Sequence, residues 1–378
     1  MPLAEPRFTM GIEEEYLLVD LETRDLVQDP PPDVMAESQN RLQDQVGPEF
    51  LRSQIEVGTK VCSTIAEARA DLGRLRQNVA EVASAHGMGL IAASTHPFAQ
   101  WDKQLPTDKD RYLELERDMQ AVVRRLVICG MHVHVGVEDD DLRIDLMNQV
   151  SYFLPHILAA STSSPFWHGN DTGLKSYRMT VFKSLPRTGL PEHFSSWGEY
   201  QRHVNVLVEA GIIQDATKLW WDVRPSARYP TIEMRVADVC TRIDDAMTVA
   251  TLFVLLLRML YRRRRKNQRW RTYANMLVAE NIWRAQRYGV DGSLMDYGRA
   301  ELVPFTQLAD ELIEILWREA DETGTTEELK HLATMARQGT SADRQLAVYS
   351  AAVEAGADSH EALKEVVDML IRETIDGI

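Results

Sequence analysis

Gly11-Ile12-Glu13-Glu14-Glu15-Tyr16-Leu17-Leu18-Val19-Asp20 is a short apolar segment with three acids inside it. Side chains alternate across a strand, so Glu13 and Glu15 share one face while Met10, Ile12, Tyr16 and Leu18 line the other. One face packs on a core. The other carries two carboxylates, and like charges that close raise each other's pKa unless cations sit between them. Taken alone, the decapeptide also fits an edge strand with a solvated acidic face. The same design recurs further along the chain, and the repetition favours a metal site.

Gln54-Ile55-Glu56-Val57-Gly58, within Phe50 to Thr59, again sets a carboxylate opposite apolar residues. In Met131-His132-Val133-His134-Val135-Gly136-Val137 the odd residues form an apolar face, and His132 and His134 share the other with Gly130 and Gly136, leaving open space above the imidazoles. Ser176 to Phe182 reads as a fourth strand with Arg178 and Thr180 on one face. Thr231 to Val239 reads as a fifth, with Glu233 and Arg235 together opposite Ile232, Met234 and Val236; an acid and a base two apart would bind metal and phosphate side by side, a reading favoured here over a cross-strand salt bridge. The turn-rich, cationic stretch Trp221 to Pro230, with Arg224, precedes it.

Between these strands, Asp29 to Asp44, with three consecutive prolines, reads as a connecting loop. Helical spacing marks Ser63 to Ala85, Asp108 to Val123 and Leu142 to Ala160, while Leu90 to Ser94 is a short buried strand. Glu280 to Gly289 reads as a helix stopped at its glycine, and from about 303 the chain is helical and amphipathic. Asp244 to Leu260 is strongly apolar and runs into Tyr261-Arg262-Arg263-Arg264-Arg265-Lys266, but its uncharged core falls short of the roughly 20 residues that span a bilayer. A buried helix with a basic end is expected, and no membrane partner. No linker divides the chain, so residues 1–378 are expected to form a single domain with a helical C-terminal part.

The 378 residues, 44% hydrophobic and 26% charged, can bury a large core and exclude disorder. A net charge of -15 argues against a nucleic-acid partner, which needs a basic surface, yet leaves room for a nucleotide that arrives with cations. Cys62, Cys129 and Cys240 are odd in number and lack C-x-x-C spacing, so neither a disulfide framework nor a zinc knuckle is expected, and a cytoplasmic location fits. The opening MPLAEPRFTM has no basic segment followed by an apolar run, so no signal peptide is read.

Together the strands predict an α+β fold: a curved, mainly antiparallel sheet with a charged concave funnel and helices on its convex side. Its oxygen-rich ligands suit Mg²⁺ or Mn²⁺ better than zinc. Several such ions beside arginines point to nucleoside triphosphate chemistry.

The ordered set GIEEEYLLVD, QIEVGT, CGMHVHVGV, SSPFWHGNDTG followed by SYR, WDVRPS, IEMRVAD and ENIWRAQRYG resembles the type 2 glutamate–cysteine ligase family of carboxylate–amine ligases over most of the chain. More distantly, E-x-E, GMHVH and E-x-R look like the metal and ATP elements of glutamine synthetases, which implies the same sheet and acyl-phosphate chemistry. Carried over by position, the resemblance implies Glu13, Glu15, Glu56, His132 and Glu233 as metal ligands. It implies His134 and Arg235 near the ATP phosphates, and Arg178 and Arg224 as candidates for the substrate carboxylate or the transferred phosphoryl group. Catalysis would then fall to Arg235 and Arg178. The implied reaction joins a glutamate γ-carboxylate to an amine, that of cysteine, with ATP and Mg²⁺ or Mn²⁺. A homodimer is expected from the resemblance and from the apolar helix Ala246 to Leu260, which needs covering. A guanidino-kinase-like phosphotransferase and a non-catalytic nucleotide-binding regulatory protein are the alternatives from other classes.

Overall fold

A computed structural model describes residues 5–110, 117 and 119–378. Its main sheet has seven strands: β1 Met10–Asp20, β2 Val46–Pro48, β3 Gln54–Gly58, β4 Met88–Ile91, β5 Met131–Gly136, β6 Val223–Pro225 and β7 Thr231–Met234. They run in the order β6-β7-β5-β1-β3-β2, with β4 also paired to β1, and every pairing is antiparallel. β1 is the centre of this sheet. Glu13 and Glu14 pair with β3 on one side and β5 on the other, while Leu17–Asp20 pair with β4.

The helices used below are α1 Pro32–Leu42, α2 Ile65–Ala85, α3 Asp140–Val150, α4 Leu154–Ser161, α5 Arg178–Phe182, α6 Trp197–Glu209, α7 Ile243–Arg265, α8 Asn275–Tyr288, α9 Phe305–Thr323, α10 Thr326–Gln338, α11 Ser341–Glu354 and α12 Ser359–Thr374. The apolar face of the sheet, with Ile12, Tyr16, Ile55, Val57, Val133 and Val135, is buried against this helical layer. α7 is the layer's axis. It is buried within the one chain by α2, α3, α4, α9 and α10, so no second copy is needed to cover it. Among the described residues no helix is long and apolar enough to cross a membrane.

Four of the five polar-faced strands expected stand in the sheet, and the one read over Ser176 to Phe182 is corrected. Arg178 to Phe182 is helical: Tyr177 N–H bonds Ser164 O at 2.8 Å, Arg178 N–H bonds the Ser164 hydroxyl at 3.1 Å, and a turn follows. The four-residue spacing that sets Arg178 over the Phe182 ring, 5.3 Å from its centroid, is a helical period. The Asp29 to Asp44 loop is also corrected, because its last proline stands at the first position of α1 and Val34, Ser38 and Leu42 bury one helical face. The helix read over Leu142 to Ala160 is two, divided by a 3₁₀ turn at Ser151–Phe153 just before Pro155. The helix expected over Asp108 to Val123 lies partly outside the described residues. α8 ends as expected, at Gly289 with φ 55°.

Glu14 fixes β1 to the helices. Its carboxylate faces away from Glu13 and Glu15 and takes both arms of Arg76 from α2, Nε at 2.9 Å and Nη2 at 2.7 Å. The Tyr16 hydroxyl donates to it at 2.5 Å. Arg76 also donates to the Thr241 and Cys240 carbonyls at 2.6 and 2.8 Å, so one fully buried cluster joins β1, α2 and the segment after β7.

Candidate active site

Register, more than any single residue, assembles the site. On the polar face, Arg224 pairs with Glu233 and Glu233 with His134, whose partner on β1 is Gly11. In the next row Glu13 stands between His132 and Gly58. In the third, Glu15 faces Glu56, which faces Gly47. No neighbouring atom lies within 4 Å of where a Cβ would stand at Gly11 or Gly47, so these glycines leave the rows open.

The space expected over Gly130 and Gly136 is filled instead. A Cβ at Gly130 would come within 2.4 Å of Arg178 Nη2, and one at Gly136 within 2.7 Å of Thr9 Oγ1. Gly130 is therefore the notch that lets Arg178 reach the site from α5. The guanidinium donates to the carbonyls of Arg235 and Val236 at 3.1 and 3.4 Å, and its buried Nε has no hydrogen-bond partner.

Glu13, Glu15, Glu56, His132, His134, Arg224, Glu233 and Arg235 line one polar cavity and Arg178 enters beside it from α5, but their relations differ from the expectation. The ligand atoms that converge, within 4.8 Å of one another, belong to Glu13, His134 and Glu233. His134 Nδ1 is held by the Thr231 hydroxyl at 3.0 Å; its Nε2 is buried, lacks a hydrogen-bond partner and lies 3.5 Å from Glu13 Oε1. An imidazole oriented through one nitrogen with the other free, beside two carboxylates, fits a hard divalent cation. His132 stands where its Nδ1 meets Glu13 Oε2 at 3.2 Å and Arg235 Nη1 at 3.4 Å. Glu15 and Glu56 lie one row beyond.

Arg224 is spoken for. It grips Glu233 with Nε at 2.9 Å and Nη2 at 3.0 Å, and its Nη1 reaches the carbonyls of Thr217 and Leu219 at 3.0 and 2.6 Å. Arg235 Nη1 bonds Glu233 Oε1, the oxygen that also accepts from Arg224 Nη2, while its buried Nε has no partner. Asn281 and Arg284, in line on α8, brace the Ser293–Asp296 strand at 2.9 and 2.6 Å and do not join the site.

Burial alone would raise the Glu13 carboxyl, but His132 and His134 hold it well below the usual carboxylate range. Burial works the same way on Glu233, where Arg235 and Arg224 reverse it. Burial and then Glu49 push Glu15 up to about 7, and burial with Glu49, Glu13 and Glu15 pushes Glu56 well above its ordinary value. Such crowding is relieved by cations. Burial and Arg235 push His132 down to about 4, so it is a neutral imidazole at pH 7.

Two further residues belong here. Glu49 lines the same cavity from the loop before β3, where no periodicity marks it. Asp222, one residue before β6, is 1% exposed with both carboxylate oxygens unpartnered, and burial pushes it up to about 6 against Lys183, Arg178 and Arg235. Because that value lies above the ordinary 3.8, the folded protein holds the proton more tightly than the unfolded chain. The stability this contributes is complete below the unfolded value and lost as pH rises through the folded one. Asp222→Asn is expected to remove that loss, gaining ~2 kcal/mol relative to wild type between about pH 4.5 and 7.5 in urea unfolding. A difference that stays constant with pH would contradict the raised carboxyl.

Glu13→Ala is the cleaner test of cation binding, because Glu13 is 35% exposed on its side chain while removing Glu233, at 3%, leaves Arg224 and Arg235 unpaired. The expected result is a loss of at least ~100-fold in Mn²⁺ affinity by titration calorimetry, with an unchanged circular dichroism spectrum. Wild-type affinity in that variant would remove Glu13 from the ligand set.

The family model described as glutamate-cysteine ligase family 2 matches residues 9–369. A protein of Rhodospirillum rubrum with the name "Putative glutamate--cysteine ligase 2" is 60% identical over 377 residues, covering 99% of this chain and 97% of its own. One of the same name from Jannaschia sp. is 51% identical over 370 residues, 98% of this chain and 97% of its own. Among solved structures, glutamate–cysteine ligase from Francisella tularensis in complex with AMP superposes with a TM-score of 0.70 at 12% identity, over 99% of this chain and 90% of that one. A bifunctional glutathione synthetase from Pasteurella multocida gives 0.68 at 14%, over 98% of this chain but only 53% of that longer one. These two likenesses are of fold, and they agree with the mixed helical and antiparallel architecture expected. With a family match that runs nearly end to end and relatives above half identity along their whole length, the chain belongs to glutamate–cysteine ligase family 2.

Proposed function

We propose that the protein is an ATP-dependent carboxylate–amine ligase that activates a carboxylate as an acyl phosphate and passes the acyl group to an amine. Glutamate γ-carboxylate and the amine of cysteine are the pair its family name supplies. The observation that carries the reading is the cavity of about 250 Å³ over the polar face, where Glu13, His134 and Glu233 converge and Arg235 presents a free guanidinium edge beside them. AMP bound to the Francisella protein accords with an adenine nucleotide here.

A carboxylate is a poor electrophile at neutral pH. One of its oxygens attacks the γ-phosphorus of ATP and ADP departs; the amine nitrogen then attacks the acyl carbon, phosphate leaves with that oxygen, and the nitrogen gives up a proton. Glu13, His134 and Glu233 would hold Mg²⁺ or Mn²⁺, with Glu15, Glu56 and His132 around them, and the bound cation would supply positive charge to the phosphates. Arg235, bonded to Glu233, would contact the phosphoryl group that a cation on Glu233 holds. Arg224 orients Glu233, and Arg178 is left for a substrate carboxylate.

One hydrophobic core runs from Phe8 to Leu370, so residues 1–378 are read as one ligase domain. The three cysteines are free and buried, which accords with a reducing cytoplasm; a homodimer acting on small molecules completes the reading, resting on the family resemblance alone because α7 is covered within the chain.

Hydroxylamine trapping tests the proposal: ATP, Mg²⁺ and a panel of amino acids with side-chain carboxylates should yield a hydroxamate and one ADP per turnover. A phosphorylated guanidine as product would favour the phosphotransferase, and nucleotide binding without turnover of any carboxylate would favour the regulatory protein.

A further inference from the structure

Arg178 is 2% exposed, and among the described residues no carboxylate bonds its guanidinium, whose acceptors are the Arg235 and Val236 carbonyls and, at 3.7 Å, the Met179 sulfur. A buried cation held so sparingly needs its place fixed by other means. Its backbone supplies them. Arg178 N–H donates to the Ser164 hydroxyl at 3.1 Å, and that hydroxyl donates in turn to Asp238 Oδ2 at 2.7 Å. The same oxygen accepts the Ser163 N–H at 2.9 Å, and Oδ1 accepts the Ser176 hydroxyl at 2.8 Å.

The chain after α4, the residue before α5 and the segment after β7 thus meet on one carboxylate. Asp238 is 0% exposed and lines neither the polar cavity nor the smaller one, of about 130 Å³, that Arg178 and Arg235 share beside it. Its backbone bridges Gly130, whose missing side chain admits Arg178, and the carbonyls that take the guanidinium lie two and three residues before it in the same segment.

We infer that Asp238 is the positioning residue for Arg178: through Ser164 and Ser176 it sets where the buried guanidinium stands to receive a substrate carboxylate. The inference rests on the ligase reading above, in which Arg178 takes that carboxylate. A serine hydroxyl has a single proton to give. With the Ser164 proton committed to Asp238, a lone pair is left for Arg178 N–H, and the start of α5 is pinned beside Gly130. Burial pushes the Arg178 guanidinium down, and Asp238 is the foremost charge that opposes it. Arg235 has supports of its own, the Glu233 carboxylate and the Asp222 carbonyl, which accepts its N–H at 2.8 Å. Loss of Asp238 therefore falls on the amino-acid substrate and spares ATP, whereas a carboxylate that merely knotted three loops together would matter to stability alone.

The test uses the donor and acceptor amino acids found by hydroxylamine trapping and amide formation, with a melting curve for every variant. Arg178→Lys first identifies which of the two Arg178 holds, by the KM it raises. Asp238→Ala is expected to raise that same KM at least ~10-fold, with the KM for ATP within about twofold of wild type. Asp238→Asn keeps an oxygen toward Ser163 and Ser164 and gives an amide hydrogen to Ser176, whose hydroxyl turns to accept it, so its KM should return to within about threefold of wild type. If Asp238→Ala fails to fold, Ser164→Ala, which removes the hydroxyl between Asp238 and Arg178, decides instead, with an expected rise of ~3–10-fold. A lowered melting temperature with the amino-acid KM unchanged overturns the inference, and so does a KM for ATP that rises as much as that for the amino acid. A KM in Asp238→Asn as high as in Asp238→Ala shows that Arg178 draws on charge and not placement, and also overturns it. Absence of any hydroxamate removes the ligase reading, and an Arg178→Lys variant that leaves both amino-acid KM values unchanged removes Arg178 from the substrate; in either case the inference falls with the reading it rests on.

Discussion

Arg235→Lys is expected to lower kcat by ~10²–10³-fold while changing the KM for ATP by less than about threefold. Arg235 lines the polar cavity, bonded to Glu233 through Nη1 and with Nε buried and unpaired. A planar fork held by one arm leaves its other edge for the oxygens of a transferring phosphoryl group, and lysine offers only a point charge on a shorter lever. If the contact strengthens as phosphoryl moves, the loss falls on kcat. The bond to Glu233 also supports the plainer role of a structural salt bridge. In that case the lysine variant keeps most of its kcat and chiefly loses thermal stability, so steady-state kinetics and a melting curve on one variant separate the two.

The largest effect on stability is expected at Glu14. Glu14→Gln leaves Arg76 charged and fully buried against a neutral amide, which should cost ~3–5 kcal/mol in denaturant unfolding. Glu14→Leu combined with Arg76→Met removes both charges and is expected to recover part of that loss, because an apolar pair avoids the desolvation of two ions although the Thr241 and Cys240 carbonyls and the Tyr16 hydroxyl lose their partners. If the double variant were as unstable as the single one, packing and not the uncompensated charge would be at fault. The link to function is direct. Glu13 and Glu15 face the cavity only because the residue between them is locked to α2 from the opposite side, and a one-residue slip of β1 would turn both carboxylates into the core.

The polar face was legible because alternation in β1, β3, β5 and β7 is local: Glu13, Glu56, His132 and Glu233 each declare their side within a few residues. Which of them meet was not, since that depends on register between strands far apart in the chain. The Glu233–His134 pairing, for example, brings His134 to the Glu13–Glu233 cluster, where position in the motif pointed to His132. Arg178 misled because a five-residue helix is too short to display its period, and only the close contact with Gly130 shows how it enters. Glu14 was hidden by its neighbours: alternation sets it opposite Glu13 and Glu15, but nothing local marks its partner on α2. Glu49 and Asp222 carry no periodic mark at all, one lying in a loop and the other in the single residue between the two-residue strand Trp220–Trp221 and β6.

The central claim is that a carboxylate oxygen is transferred to phosphate as an amide forms. With ATP, Mg²⁺, the amine acceptor and a donor labelled with ¹⁸O in its side-chain carboxylate, mass spectrometry of the inorganic phosphate decides it. The account predicts one ¹⁸O in the phosphate for each amide formed. Amide formed with unlabelled phosphate would contradict it.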